Sequence, residues 1–261
     1  MIKTKALQYK IKEKKLIDAI SLTFNPNEIS MIVGPNGAGK STLIQLLSQQ
    51  REPSSGEIDF FGKPITEIPT QKMARVRAVL SQNTSMAFPL TVKEVVMMGR
   101  YPHFTGSPLE KDKDICQESM KLFSITDMSE RNYLTLSGGE QQRVHFARVA
   151  AQIWPDRTSS TKILLLDEPL TYLDIYYQYE FLRVVKQLMQ DQEMIVIGVI
   201  HDLNLAYQFA DKIALIANGK LVEAGNPDKV FTPENIKKVF KISATIILDD
   251  QGKKHLSFGF R

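Results

Sequence analysis

Residues Gly34-Pro35-Asn36-Gly37-Ala38-Gly39-Lys40-Ser41-Thr42 form a complete phosphate-binding loop of the form G-x-x-x-x-G-K-[ST]. The glycines let backbone N–H groups curl around an anion, Lys40 reaches the outer phosphates of a nucleotide, and Ser41 offers a hydroxyl to Mg²⁺. A second acidic motif, Ile163-Leu164-Leu165-Leu166-Asp167-Glu168, is an apolar run ending in paired carboxylates. With this loop, such an aspartate helps to hold Mg²⁺. Between the two lies Leu136-Ser137-Gly138-Gly139-Glu140-Gln141, which has the Ser-x-x-Glu spacing of a helix-starting capping box. A capping box needs no glycines, so the pair at 138 and 139 points to a close approach at a helix start, itself an anion site.

These residues need a frame. Four runs are almost continuously apolar and read as buried parallel strands: Ile29 to Val33, Ile163 to Leu166, Ile195 to Ile200 and Ile213 to Ile216. The first three end at polar residues of functional type, where ligands collect in an open α/β sheet. Lys5 to Tyr9, Ser21 to Phe24 and Glu57 to Phe61 alternate, as strands of an antiparallel layer with one wet face do. The phosphate loop is followed by a helix carrying Leu43, Ile44, Leu46 and Leu47, the strand-loop-helix context that the motif requires.

From residue 86 the pattern turns helical. Val92, Val95, Val96 and Gly99 precede a Pro/Gly-punctuated loop from Tyr101 to Pro108, then a helix-compatible stretch from Glu110 to Phe123. Ser137 opens a further helix that Val144, Ala147, Ala150, Ala151 and Trp154 continue at helical spacing. The expected architecture is an α/β nucleotide-binding core (1–85 and 158–261) with an inserted helical subdomain (86–157). Residues 155–160 form a polar connector back to the sheet.

Composition narrows the classes. Thirty-three basic against 29 acidic residues give a net charge of +4, too mild and dispersed to argue for a nucleic-acid partner. The lysines at 3, 5, 10, 12, 14 and 15 read as a solvated face. The strongest apolar run, Met194 to Ile200, has seven residues, against the about twenty that a spanning helix requires. No secretory signal is visible, and the single cysteine, Cys116, excludes an internal disulfide and fits a reducing cytosol.

The phosphate loop together with LSGGEQ downstream resembles the ATP-binding-cassette (ABC) ATPases, from Tyr9 to about Val230. The resemblance implies the P-loop nucleotide triphosphatase (RecA-like) fold, with an antiparallel β layer and an inserted helical subdomain. It also implies hydrolysis of ATP with Mg²⁺. Asp167, Ser41 and Gln82 are then expected at the metal, Glu168 as general base, and His201 at the γ-phosphate. Gln82 is the hinge residue that passes the nucleotide state to the helical subdomain. Tyr9, 25 residues before Gly34, is expected to stack on adenine. Ser137, Gly138, Gly139 and Glu140 are expected to face the nucleotide of a second copy, with Asp174 in the inter-subunit loop. That loop departs from the commonest family form: Leu170, Thr171 and Tyr172 stand where threonine, serine and alanine are usual.

The resemblance further implies a homodimer on the cytoplasmic face of the inner (plasma) membrane. It would grip an integral permease dimer and be served indirectly by a periplasmic or surface substrate-binding protein, with no nucleic acid. Met97-Met98-Gly99-Arg100-Tyr101-Pro102-His103 and the connector from Trp154 to Thr161 look most like the haem-importer ATPases. Ferric-siderophore and vitamin B12 importers are the near alternatives, and a soluble non-transport ABC ATPase is the distant one. His103 is expected to pack or to touch the permease, not to bind haem, and Met97 and Met98 are expected in a core.

Overall fold

The computed structural model describes residues 1–81, 86, 88–155 and 160–259. The first half of the chain runs β1 (Ile2–Ile11), β2 (Lys14–Phe24), β3 (Glu28–Val33), α1 (Lys40–Leu47), β4 (Ser55–Phe60), β5 (Lys63–Pro64), α2 (Thr70–Ala74), β6 (Arg77–Leu80), α3 (Val92–Met97) and α4 (Glu110–Leu122). It continues through α5 (Gly138–Gln152), β7 (Lys162–Asp167), α6 (Ile175–Asp191), β8 (Met194–Val199), α7 (Leu203–Phe209), β9 (Lys212–Ala217) and β10 (Lys220–Gly225). The last elements are α8 (Pro227–Val230), α9 (Pro233–Phe240), β11 (Ser243–Leu248) and β12 (Lys254–Gly259). Two compact units result, Met1–Glu67 with Ile195–Arg261, and Ile68–Met194. The second therefore takes in β6, β7 and α6 besides the helices between them.

In the first unit, β3 pairs in parallel with β8 on one side and β9 on the other, and β10 returns antiparallel to β9. All three central strands are buried along nearly their whole length, which is why their sequences do not alternate. A separate antiparallel layer runs in the order β2-β1-β4-β5. Its long strands are bulged: Ala6 (φ +44°) and Ala19 (φ +56°) adopt left-handed backbone where the β1–β2 register shifts. Bulges of this kind turn a strand locally and re-aim its side chains, and beyond them Tyr9 is brought opposite Ile17.

The second unit carries the parallel pair β6–β7 and the helices. Capping boxes start α3 (Thr91 with Glu94) and α5 (Ser137 with Glu140). Val92, Val95 and Val96 are buried from α3, and Val144, Ala147, Ala150 and Ala151 from α5. Phe146 of α5 and Phe181 of α6 stack with centroids 3.8 Å apart, and Phe123 flanks both. Burying such rings contributes about 1.5–3 kcal/mol each.

Two sequence expectations need correction. Trp154 is not on α5, whose helix ends at Gln152 with the C-cap at Ile153. Tyr101 to His103 belong to a 3₁₀ turn spanning Met98–His103, so the loop starts later than expected. Cys116 is buried in α4, with its thiol 3.9 Å from the Met97 sulfur, and burial pushes its pKa up to about 12. It is an inert core thiol.

Candidate functional site

In the first unit the phosphate loop joins the end of β3 to the start of α1. Gly34 must be glycine: its φ is +154°, and a Cβ there would meet the Ile216 carbonyl oxygen at 2.0 Å. Gly39, at the N-cap of α1 with φ +103°, would likewise place a Cβ 2.4 Å from the Leu16 carbonyl. The loop is thus wedged between β9 and β2, and these contacts constrain its shape. Lys40 is only 5% exposed, and its Nζ donates to the carbonyls of Gly34 (2.9 Å) and Pro35 (3.0 Å). An ammonium held at the centre of a loop that opens a helix is suited to a phosphate chain. Asn36 and Gly37 at the tip are exposed, and Ser41 and Thr42 are half-buried.

Two other expected residues lie in this unit. Tyr9 is half-buried, its phenol oxygen accepting from Arg51 Nη1 at 2.6 Å, with the guanidinium carbon 5.4 Å from the ring centroid. Sequence reasoning did not single out Arg51, because no spacing rule connects it to Tyr9. His201 lies one residue beyond the end of β8 and is exposed; Asp202 beside it caps α7 by accepting from the N–H groups of Asn204 (2.8 Å) and Leu205 (3.0 Å). His201 is therefore held at a fixed strand-to-helix junction.

The second unit carries the acidic pair and the LSGGEQ motif. Asp167 ends β7 and is 6% exposed. Glu168 takes left-handed backbone (φ +53°) and is half-buried. The loop after it is tied down from two helices: Gln142 of α5 donates to the Pro169 carbonyl (2.7 Å) and Gln178 of α6 to the Leu173 carbonyl (3.0 Å). Asp174 caps α6 by accepting from the Tyr177 N–H at 3.1 Å.

At the start of α5, Glu140 Oε2 accepts from both the N–H (2.7 Å) and the hydroxyl (2.8 Å) of Ser137, while Arg131 faces Oε1 at 3.3 Å. These hydrogen bonds, the backbone one first, hold the Glu140 pKa below the usual carboxylate value. Inside the subunit only Gly139 is crowded, and Gly138 would meet no more than ordinary contact. A Cβ on Gly138 would touch Tyr172 Cβ at 3.5 Å, and one on Gly139 the Tyr172 carbonyl oxygen at 3.3 Å. Together these residues line an open groove of about 510 Å³ that Arg143, Leu173, Asp174 and Tyr177 complete.

Gln82, expected as the hinge residue, lies outside the described residues, as does part of the 154–161 connector. The segment from Gly99 to His103 turns out to be an internal lock. A Cβ on Gly99 would stand 2.1 Å from the Arg148 carbonyl oxygen of α5. Arg100 and Asp112, each 6% exposed, pair at 3.0 Å, and Arg100 also donates to the Ala151 carbonyl (2.7 Å). His103 Nε2 lies 2.8 Å from the Gln152 carbonyl oxygen. These residues join the 3₁₀ turn to α4 and α5, so their side chains are accounted for by packing.

A profile described as "ABC transporter" matches residues 17–171, more than half of the sequence. The chain belongs to the ABC transporter family. As such this cassette is an ABC-type ATPase that binds ATP. Among its relatives, the hemin import ATP-binding protein HmuV of Escherichia coli O157:H7 is 42% identical over 249 residues, covering 95% of each chain. The HmuV protein of Gloeobacter violaceus is 42% identical over 247 residues, covering 95% of this chain and 90% of the relative. Among solved structures, a metal-chelate-type ABC transporter in an inward-facing conformation superposes with a TM-score of 0.83. It is 23% identical and covers 99% of the cassette and 97% of that chain. The fold is therefore α/β, the P-loop nucleotide triphosphatase (RecA-like) core with its antiparallel β layer and inserted helical subdomain, as the motifs predict.

Proposed function

We propose that this cassette powers import of haem by hydrolysing ATP as a homodimer bound to a separate membrane permease dimer. The shared name of relatives that match nearly end to end carries the cargo assignment. Within the Gly99–His103 segment, Gly99, Arg100 and His103 are engaged in packing while Tyr101 stays exposed. Among the described residues no helix is long and apolar enough to cross a membrane. On the likeness to import ATP-binding proteins we assign the permease to other chains and the cassette to the cytoplasmic face of the inner (plasma) membrane, with a periplasmic or surface binding protein delivering cargo. The segment 86–157 is taken as the subdomain that contacts the permease.

In this reading, the phosphate-loop N–H groups from Gly34 to Thr42 and the Lys40 ammonium bind the β- and γ-phosphates, and Tyr9 packs on adenine. The Ser41 hydroxyl, the Asp167 carboxylate and Gln82 are hard oxygen donors that suit Mg²⁺. When bound, that ion neutralises charge developing on the transferred phosphoryl group. Glu168 accepts a proton from the water that attacks the γ-phosphorus, the bond to the ADP oxygen breaks, and ADP and inorganic phosphate leave. His201 donates to a γ-phosphate oxygen. Ser137 to Glu140 of the second copy close the site, and Asp174 lies in the loop between subunits.

The direct test is Glu168→Gln, which keeps the shape of the side chain and removes the base. ATP binding should stay within about twofold, turnover should fall at least about a hundredfold, and a closed dimer should accumulate. Hydrolysis at the parent rate would remove Glu168 from the role. For the cargo, vesicles containing the cognate permease and this cassette should take up haem in an ATP-dependent manner. Uptake of ferric siderophore with none of haem would reassign it.

A further inference from the structure

The strand ladder alone does not fix Tyr9. The β1–β2 register shifts on both sides of it, between Leu7 and Tyr9 and again before Lys10, and the pairing of β1 with β4 ends at Gln8 opposite Ser55. A residue between two irregularities is re-aimed more than it is held. What holds it is the segment that follows α1. The Ser54 N–H donates to the Gln8 carbonyl (2.8 Å) and the Lys10 N–H donates to the Ser54 hydroxyl (3.1 Å), so the backbone is fastened on either side of Tyr9. Arg51 takes the side chain, its Nη1 donating to the phenol oxygen at 2.6 Å.

Arg51 is itself anchored to α1. Its Nε donates to Gln45 Oε1 (2.6 Å), and its backbone N–H donates to the Gln45 carbonyl (3.2 Å), which also accepts from the Gln50 N–H (2.9 Å). Gln45 belongs to the helix whose first turn carries Lys40 and Ser41. A second route runs through β2. Tyr9 lies opposite Ile17, and a Cβ on Gly39 of the phosphate loop would stand 2.4 Å from the Leu16 carbonyl oxygen and 2.9 Å from Ile17 Cδ1. The ring is therefore tied to the phosphate loop from two sides. An exposed guanidinium contributes little to stability, but a rigid fork whose Nε and Nη1 engage two different elements orients both.

We propose that Arg51 is a positioning residue for the nucleotide base: by joining Tyr9 to Gln45 it sets the aromatic ring at the separation from the phosphate loop that an adenine nucleotide spans. This rests on the reading above that Tyr9 packs on adenine. A ring held beforehand does not have to be ordered when the nucleotide binds. Stacking tolerates different bases, so Arg51 acts on the ring, and its loss weakens ATP and GTP alike.

The test measures KM and kcat for nucleotide hydrolysis by the full chain. Arg51 is exposed, so its variants should fold. Arg51→Met keeps an extended side chain and removes both donors. It should raise the KM for ATP about three- to tenfold, leave kcat within about twofold, and raise the KM for GTP by the same factor. Tyr9→Phe keeps the ring and loses the phenol oxygen; it should reproduce that change, and the double variant should be no worse than either single one. Arg51→Lys keeps the charge without the fork and should behave like Arg51→Met.

A parent KM in Arg51→Met, or additive losses in the double variant, would overturn the proposal. So would parent behaviour of Arg51→Lys, since charge alone would then suffice, and a loss confined to ATP, since Arg51 would then read the base itself. Tyr9→Ala separates this proposal from the reading beneath it. Removing the ring should raise the KM for ATP at least about fivefold. An unchanged KM there would defeat the adenine reading and Arg51 with it, whereas a raised KM there beside a parent KM in Arg51→Met would remove Arg51 alone.

Discussion

The phosphate loop and the LSGGEQ turn both open a helix, yet they are built in opposite ways. Around Gly34 to Lys40 the backbone is wedged under carbonyls of Ile216 and Leu16, and the lysine is buried. Gly34 and Gly39 there are dictated by positive φ and by contacts that admit no Cβ, and Gly37 by its φ of +76° alone. At Ser137 to Gly139 the backbone is ordinary, Ser137 and Gly138 are exposed, and the nearest contacts to a Cβ are 3.3–3.5 Å away. The first is a finished half-site. The second is a surface, where the Ser137 N–H and hydroxyl donate to the Glu140 carboxylate.

Alanine at the two glycines separates these designs most sharply. Gly34→Ala must push a methyl into the Ile216 carbonyl at 2.0 Å, so the loop or the end of β9 must move. We expect at least about a hundredfold loss of ATP affinity and a destabilisation of about 2–4 kcal/mol, seen in denaturant titrations. Gly138→Ala meets only ordinary contact at 3.5 Å, so the fold and ATP binding should survive while ATP-driven dimerisation and turnover drop. Equal loss of ATP binding in both variants would erase the distinction.

Next in size is Ser137→Arg, which places a long cation in the groove and breaks the capping box. A lost cap costs about 1 kcal/mol, too little to unfold the subunit, whereas the obstruction should block closure. ATP binding to the variant subunit should match the parent, and turnover should be abolished. Normal turnover would mean that each subunit hydrolyses ATP without its partner's signature turn.

What the sequence disclosed of this contrast followed from range. The three buried strands that frame the phosphate loop were legible because a strand covered on both faces is apolar throughout, and the loop because its motif is contiguous. β6 was missed, being four residues long and opening with Arg77. So was the β11–β12 hairpin, where Ile246, Ile247 and Leu248 stay largely exposed and mark no buried face. Ser137 with Glu140 was readable as a cap because three residues separate them. The contact that crowds Gly139 was not, because Tyr172 lies 33 residues further on. Gly99 to His103 stood out as a motif, but only the positions of Asp112, Arg148 and Gln152 in space show that it is a lock. The two glutamines that hold the loop after Glu168, Gln142 and Gln178, have no local signal at all.

The smallest expected effect probes the carboxylate that occupies the signature turn. Glutamine at position 140 can still accept from Ser137, since a capping box works with either residue, but it brings no charge. Two consequences oppose each other. The start of α5 loses an anion, which costs about 0.3–1 kcal/mol at a helix N-terminus. In the composite-site proposal, where a second copy closes the site, the groove loses a negative charge beside the partner's γ-phosphate, which favours the ATP-bound dimer. Glu140→Gln should therefore lower the unfolding midpoint slightly while strengthening ATP-driven pairing by about two- to fivefold at low ionic strength. The gain should shrink as salt screens the repulsion.

The sign with pH follows from the same contacts. The folded Glu140 pKa is depressed, so its stabilisation of the α5 start is fully present above the ordinary carboxylate value of 4.5 and is lost as pH falls through the folded value. The glutamine variant should lack that acid-side loss. Weaker pairing of Glu140→Gln at low salt would show instead that the carboxylate takes part in closure, and the signature turn would then be as preformed as the phosphate loop.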